Sequence, residues 1–361
     1  MEIMGLKEKL AKYYAGKRVF VTGHTGFKGA WMLALLKQLG AEVKGYALQP
    51  EHDDDLYNII KHQLKTESII DDIRNFERLK NEIISFAPDY IFHLAAQPLV
   101  RRSYKIPSET FHINVTGTAH VLEAVNGLQN HCNVVIITTD KVYENKETGV
   151  LYKEDDRLGG HDPYSASKAC AEIVVSSFRD SFFNTNNFHQ HKKSIASARA
   201  GNVIGGGDTN EDRIVPDIVR ALTANKVIEV RNPHAVRPWQ HVLEPLSGYL
   251  LLGTCMEDDP FKFSSAYNFG PMPDDHLTVK ELVEKAIKIY EKGEWKDCSS
   301  PGQPHEAGLL KLDITKAMNE LQWQPKLNAA QAIEWTIEWF KKAADEKAVF
   351  TFKQIDDYLN L

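Results

Sequence analysis

In Val19-Phe-Val-Thr-Gly-His-Thr-Gly-Phe-Lys-Gly-Ala-Trp31 a short apolar run breaks into three glycines spaced three apart, Gly23, Gly26 and Gly29. The pattern predicts a strand, a tight turn and a helix start. Lacking Cβ atoms, the first two glycines let the backbone approach a pyrophosphate, and the third lets the helix sit close on the sheet. A glycine-rich turn alone is weak evidence for a nucleotide. Its place directly after a strand makes dinucleotide binding the stronger reading.

Downstream, Trp31 to Leu39 carries apolar residues at helical spacing and stops at Gly40, and Glu42 to Leu48 reads as a second strand. Glu51 and Asp53-Asp54-Asp55 follow, with no arginine or lysine at hand in the sequence for a 2′-phosphate, so NAD is favoured over NADP. Ser68 to Arg74 predicts a strand leaving through Asp72, Phe76 to Phe86 a helix, and Tyr90 to Gln97 a buried strand ending in small residues. A helix around Asn114 to Asn126 and a strand Val134 to Thr139 continue the alternation. The fold class is therefore α/β, a doubly wound (Rossmann) parallel sheet.

Chemistry-bearing residues appear at the next strand end. Thr138-Thr-Asp-Lys-Val-Tyr143 sets hydroxyl, acid and amine where open α/β sheets bind ligands. Tyr164-Ser-Ala-Ser-Lys168 follows Asp162-Pro163, and on a helix i and i+4 share a face. The ammonium of Lys168 is thus expected near the phenol of Tyr164, lowering its pKa from about 10 so that it can take a hydroxyl proton. Alone, such a pair is usually a solvated surface contact. Behind a glycine turn and a strand ending in Thr-Thr-Asp, the catalytic reading prevails.

The 361 residues suffice for one large or two interleaved domains, and the net charge of -6 gives no footprint for nucleic acid or an anionic membrane. Apolar runs such as Val134 to Ile137 fall far short of the roughly 20 residues of a membrane helix. Leu6 to Tyr14, dotted with Lys7, Lys9 and Lys12, reads as a short amphipathic helix rather than a signal peptide, so a cytoplasmic protein is expected. The four cysteines, Cys132, Cys170, Cys255 and Cys298, lack metal spacing and read as buried thiols in a reducing compartment. No metal is expected.

Six stretches carry a family resemblance: Thr22 to Gly29, His93 to Val100, Thr139-Asp-Lys141, Asp162 to Lys168, Ala198 to Asp208, and Arg237 to Val242. They resemble the CDP-D-glucose 4,6-dehydratase family of the extended short-chain dehydrogenases/reductases, over nearly the whole chain. The resemblance implies NAD and a nucleotide-diphosphate hexose, with CDP-glucose the leading substrate. It assigns the cofactor to Gly23, Thr25, Gly26, Phe27, Lys28, Gly29, Asp72, Ile73, Leu94, Ala95, Ala96, Gln97, Asn114, Tyr164 and Lys168.

The same resemblance implies that Thr139 bonds the sugar's 4-oxygen, that Tyr164 is the base and that Lys168 tunes it. Asp140 corresponds to the acid that protonates the departing 6-hydroxyl. Related dehydratases acting on dTDP-glucose carry glutamate next, as the base for H5, where this chain has Lys141. Lys141 is then either a base with a depressed pKa or a cation stabilising the enolate.

Asn202, Arg213, Arg237 and His305 are implied for the substrate, arginine's fork suiting phosphate oxygens. The implied domains are 1–204 with 238–262 for NAD, and 205–237 with 263–361, a smaller α/β unit, for the nucleotide sugar. A homodimer is implied, pairing through helices at Tyr164 to Phe178 and about Pro107 to Asn126, with Ala169, Ile173, Val174 and Ser177 as an apolar face. Competing readings are a nucleotide-sugar 4-epimerase, a dehydratase acting on another hexose nucleotide, and a non-catalytic NAD-binding regulator.

Overall fold

The computed structural model describes residues 5–147, 149–299 and 310–361. Its centre is a seven-stranded parallel sheet: β1 Arg18–Thr22, β2 Glu42–Ala47, β3 Glu67–Ile70, β4 Tyr90–His93, β5 Cys132–Ile137, β6 Lys193–Ala200 and β7 Ala266–Phe269. The spatial order is β7-β6-β5-β4-β1-β2-β3. Order reverses between β1 and β4, where Thr22 pairs with His93, and that reversal opens a crevice at the carboxyl ends of the strands.

Side chains alternate across the strands, so each face of the sheet has its own core. Val19 and Val21 join Trp31, Val135, Ile137 and Leu250 on one side, while Phe20 joins Ile91, Leu79, Val121 and Ile136 on the other. A third core belongs to the smaller unit, where Ile218, Leu222, Leu282, Val283, Ile333 and Ile337 meet. Its helix Val279–Tyr290 starts on a capping box, Thr278 accepting from Glu281 N while the Glu281 carboxylate reaches back to Thr278 N.

The expected helix around Asn114 runs from Pro107 to Asn126 with a π-turn at His112–Thr116. Two expectations need correction. Strand β7 lies within 263–361, the stretch assigned to the substrate unit, yet it pairs with β6 as the edge of the NAD-side sheet, Phe269 opposite Ala200. The helix expected over Gln240 to Cys255 begins only at Leu243, because Gln240–His241 pairs with Val203–Ile204.

The helices that escaped the sequence reading include Leu56–Leu64, Ile214–Thr223 and Lys347–Leu359. Of the four cysteines only Cys132 is fully buried, the others being half-buried. Among the described residues, no helix is long and apolar enough to cross a membrane.

Candidate active site

A cleft of about 830 Å³ opens along the strand ends, lined by the glycine turn, the β4, β5 and β6 termini, and segments 207–217 and 229–239 of the smaller unit. Gly23 has φ +73°, and a Cβ there would stand 2.6 Å from Ala95 N. On Gly29 a Cβ would fall 2.0 Å from Gly23 O, so no other residue lets this helix start so near the turn. Gly26 differs. Its nearest neighbour would be 3.5 Å away, and its open side belongs to the cleft. Space left for a ligand, rather than demanded by packing, is what a pyrophosphate cradle requires, so these residues fit a dinucleotide.

Thr25, Phe27, Lys28, Asp72, Ile73, Leu94, Ala95, Ala96 and Gln97 all line the same cleft. Asp72 is engaged by Arg74 Nη2 at 2.6 Å, and that bond holds its carboxyl below the usual carboxylate range. Asn114 does not line the cleft. Fully buried at the π-turn, it accepts from Gln97 N at 2.9 Å and donates to Gln97 O at 3.2 Å and Ser167 Oγ at 2.8 Å. It therefore fixes the β4 loop against the helix that carries Tyr164. The premise that no cation stands near the β2 terminus is also corrected, since Arg102 folds back to pair with Glu51 at 2.8 Å.

Tyr164 and Lys168 sit one turn apart on the helix Pro163–Ser181, started by Asp162, which accepts from Ser165 N, with Pro163 in the first turn. Tyr164 N donates to Ser103 Oγ at 3.1 Å, pinning the helix start to the neighbouring helix Val100–Lys105. Lys168 Nζ donates to the Ile137 carbonyl at 3.0 Å, and burial pulls its pKa down to about 8. The phenol of Tyr164 does not show the expected lowering. Burial raises it to about 12, with Thr139 acting against the rise, because the ammonium is spent on the strand carbonyl.

Thr139 Oγ1 donates to Asp140 Oδ1 at 2.9 Å and caps the short turn Asp140–Val142. Asp140 is 2% exposed, and Lys141 Nζ lies 3.6 Å from its Oδ1. Lys28 joins this group from the glycine turn. Burial, with Arg213 nearby, brings its pKa down to about 7 against the pull of Asp140.

Asn202, Arg213 and Arg237 line the opposite wall, Arg213 bonding Asp208 at 3.0 Å. His305 lies outside the described residues. Sequence reasoning missed Arg101 and Arg231, which line the same cleft and both reach Asp212, at 3.5 Å and 3.2 Å. Isolated arginines in unread segments carried no local signal. It also missed the buried support of the site, in which Glu172 accepts from Thr138, Ser197 and Arg199.

A glycine cradle beneath a Tyr-Lys helix pair, at the switch point of a doubly wound sheet, is the architecture of the extended short-chain dehydrogenases/reductases. The chain belongs to the GDP-mannose 4,6 dehydratase family, which it matches over residues 20–336. It is 46% identical over 351 residues to a CDP-glucose 4,6-dehydratase of Salmonella typhimurium, covering 96% of this chain and 98% of that relative. Among solved structures it shares its fold with a dTDP-glucose 4,6-dehydratase from Bacillus anthracis in complex with NAD. That match has a TM-score of 0.74 and 21% identity, and covers 93% of this chain and 100% of the other. A UDP-glucuronic acid 4-epimerase from Bacillus cereus, in complex with UDP-glucuronic acid and NAD, superposes with TM-score 0.76 at 22% identity. The match covers 90% of this chain and 99% of the other.

Proposed function

We propose that the protein is an NAD-dependent nucleotide-sugar 4,6-dehydratase that converts CDP-D-glucose to CDP-4-keto-6-deoxy-D-glucose with loss of water. The observation that carries this reading is Asp140, buried beside Thr139 in the cleft that Tyr164 and Lys168 line. A 4-epimerase needs no acid for a leaving 6-hydroxyl, and the relative with 46% identity is a CDP-glucose 4,6-dehydratase.

Bound NAD would supply a reversible hydride acceptor, receiving hydrogen from C4 and returning it to C6. Gly23, Gly26 and Gly29 would admit its pyrophosphate, with Ile73 and Ala95 flanking the cleft beyond them. Tyr164 takes the proton of the 4-hydroxyl while Thr139 holds the 4-oxygen, and Lys168, one turn along the same helix, would bind the nicotinamide ribose. The 4-ketone acidifies H5. Asp140 then protonates the departing 6-hydroxyl, and Lys141 receives the C5 proton or stabilises the enolate. Arg213, Arg237 and Asn202 hold the nucleotide diphosphate from the facing wall.

The NAD-binding domain comprises 1–204 and 238–262, extended to include β7, and the remainder forms the sugar-nucleotide domain. The enzyme works in the cytoplasm as a homodimer. Of the expected face, Ala169 is buried in its own subunit, whereas Ile173 is 58% exposed and Ser177 is exposed. Ala166 and Cys170 extend that stripe at helical spacing. Incubation with CDP-, dTDP-, UDP- and GDP-hexoses tests the function. A 4-keto-6-deoxy product from CDP-glucose is expected, and its absence with every nucleotide would sink the reading.

A further inference from the structure

The segment between the strand Val203–Ile204 and the helix Ile214–Thr223 carries two aspartates that hold their arginines differently. Asp208 is buried, its side chain 4% exposed, and both of its oxygens are committed. Oδ2 accepts from Arg213 at 3.0 Å and Oδ1 from the side-chain amide of Asn210 at 2.6 Å. It belongs to the framework. The Asp212 side chain is 42% exposed, and its Oδ1 is shared by Arg101 Nη1 at 3.5 Å and Arg231 Nη1 at 3.2 Å. Arg101 comes from the helix Val100–Lys105 on the cofactor side, and Arg231 follows the strand Ile228–Val230 of the smaller unit. One carboxylate oxygen thus joins the two walls of the cleft that all three residues line.

Both contacts are longer than the roughly 2.7–2.9 Å of a strong charge-assisted hydrogen bond, so the carboxylate holds its arginines loosely. Asp217 offers Arg231 no better partner, standing 3.9 Å away and bound by Arg220 at 2.5 Å. A diphosphate carries more charge and more oxygens than one carboxylate, and guanidinium forks take phosphate oxygens in pairs.

We propose that Asp212 stands in for the diphosphate of the substrate: it holds Arg101 and Arg231 in the free enzyme and surrenders them to the incoming nucleotide sugar. The identity of that anion rests on the dehydratase reading. Asp212 therefore competes with the enzyme's own ligand. It weakens the binding of substrate and product alike, retakes the arginines as product leaves, and sets KM without touching the reacting atoms.

Calorimetric titration of the NAD-loaded enzyme with CDP at low salt tests this. Asp212 has φ +58°, a conformation that asparagine adopts as readily as aspartate, so Asp212→Asn removes the charge and keeps the turn. The variant is expected to bind CDP about three- to tenfold more tightly, the worth of two half-exposed ion pairs, with the gain fading at about 0.5 M salt. KM for CDP-glucose should fall by a similar factor. Arg231→Gln should weaken CDP binding, and in that background Asp212→Asn should gain less, because the carboxylate then withholds one arginine instead of two.

An aspartate that only ties the loop in place would give weaker or unchanged CDP binding in Asp212→Asn, and either result overturns the inference. A gain undiminished in the Arg231→Gln background also overturns it, since the effect would then be diffuse charge and not displacement. Tighter NAD binding with CDP unmoved would assign the arginines to the cofactor and overturn it as well. A wild type that neither binds CDP nor forms a keto-deoxy product from any hexose nucleotide would instead remove the dehydratase reading, and the inference with it.

Discussion

Arg199 Nη2 donates to Glu172 Oε2 across 2.9 Å in the interior, one helical turn beyond Lys168. The same carboxylate accepts from Thr138 at 2.5 Å and Ser197 at 2.7 Å, so one buried anion ties the β5 tip, β6 and the catalytic helix together. Although burial opposes its charge, Arg199 and these hydroxyls hold the carboxyl below the usual range. Glu172→Gln strands a buried guanidinium and is expected to cost about 3–5 kcal/mol. Urea denaturation measures it, and adding Arg199→Met should recover part of the loss. An unchanged midpoint would show that the pair holds nothing together.

Tyr164→Phe and Asp140→Asn should fail at different steps. Without the phenol no proton acceptor remains for the 4-hydroxyl, and turnover should fall at least 10²-fold. Asp140→Asn retains oxidation but slows elimination, so the isotope effect from deuterium at C4 should shrink toward unity as a later step takes over the rate. A full C4 isotope effect in the Asp140 variant would mean that this acid does not act after oxidation.

Label fate separates dehydration from other chemistry on the scaffold. Substrate deuterated at C4 should give product deuterated at C6. Unlabelled substrate in heavy water should acquire one deuterium at C5, because that proton passes through an exchangeable group. Deuterium recovered at C4 with the 6-hydroxyl retained would promote the epimerase.

Acid should unfold the protein through its buried imidazoles. Burial lowers His24 to about 4, and His93 and His241 to about 3. In the unfolded chain they protonate near 6.5, so between pH 6.5 and these values the unfolded state binds more protons and stability falls with pH. Each contributes roughly 1.4 kcal/mol per pH unit. Glu244, raised to about 7 by burial, acts in the opposite sense above 4.5, because the folded carboxyl keeps a proton that the unfolded chain gives up. The net loss between pH 6 and 5 should be about 3 kcal/mol.

His241→Phe should flatten that slope. Its ring stands edge-on to Trp31 and Trp335, with Nε2 unpartnered. Denaturation midpoints at several pH values would show it, and an unaltered slope would mean that His241 takes up no proton on unfolding.

What the sequence made legible was local. The glycine turn, the strand-helix alternation and the Tyr164-Lys168 pair declare themselves by spacing, because glycine freedom and helical period act over a few residues. The direction of the Tyr164 shift was not legible, since it depends on burial and on Lys168 turning to the Ile137 carbonyl. Glu172 and Arg199 are 27 positions apart, and nothing near either names its partner. The helix Lys347–Leu359 was missed for a related reason. Its buried face mixes Ala348, Ile355 and Tyr358 with Thr351 and Gln354, and those polar residues blur the apolar period.

That last helix bears on how the polypeptide is made. Gln38 donates to the Phe352 carbonyl at 2.7 Å, Lys7 meets Asp356 at 2.5 Å, and the phenol of Tyr358 bonds Glu244 at 2.7 Å. Lys7 thus waits for a residue 349 positions further along before its packing is complete. A growing chain on the ribosome can form the glycine turn and the early strands, but it leaves the outer surface of the helix Phe27–Gln38 bare until synthesis reaches this segment. Until this segment is present, the helix Phe27–Gln38 packs on the sheet and on Leu56–Leu64 but lacks its last partner, so the nucleotide half completes its packing late.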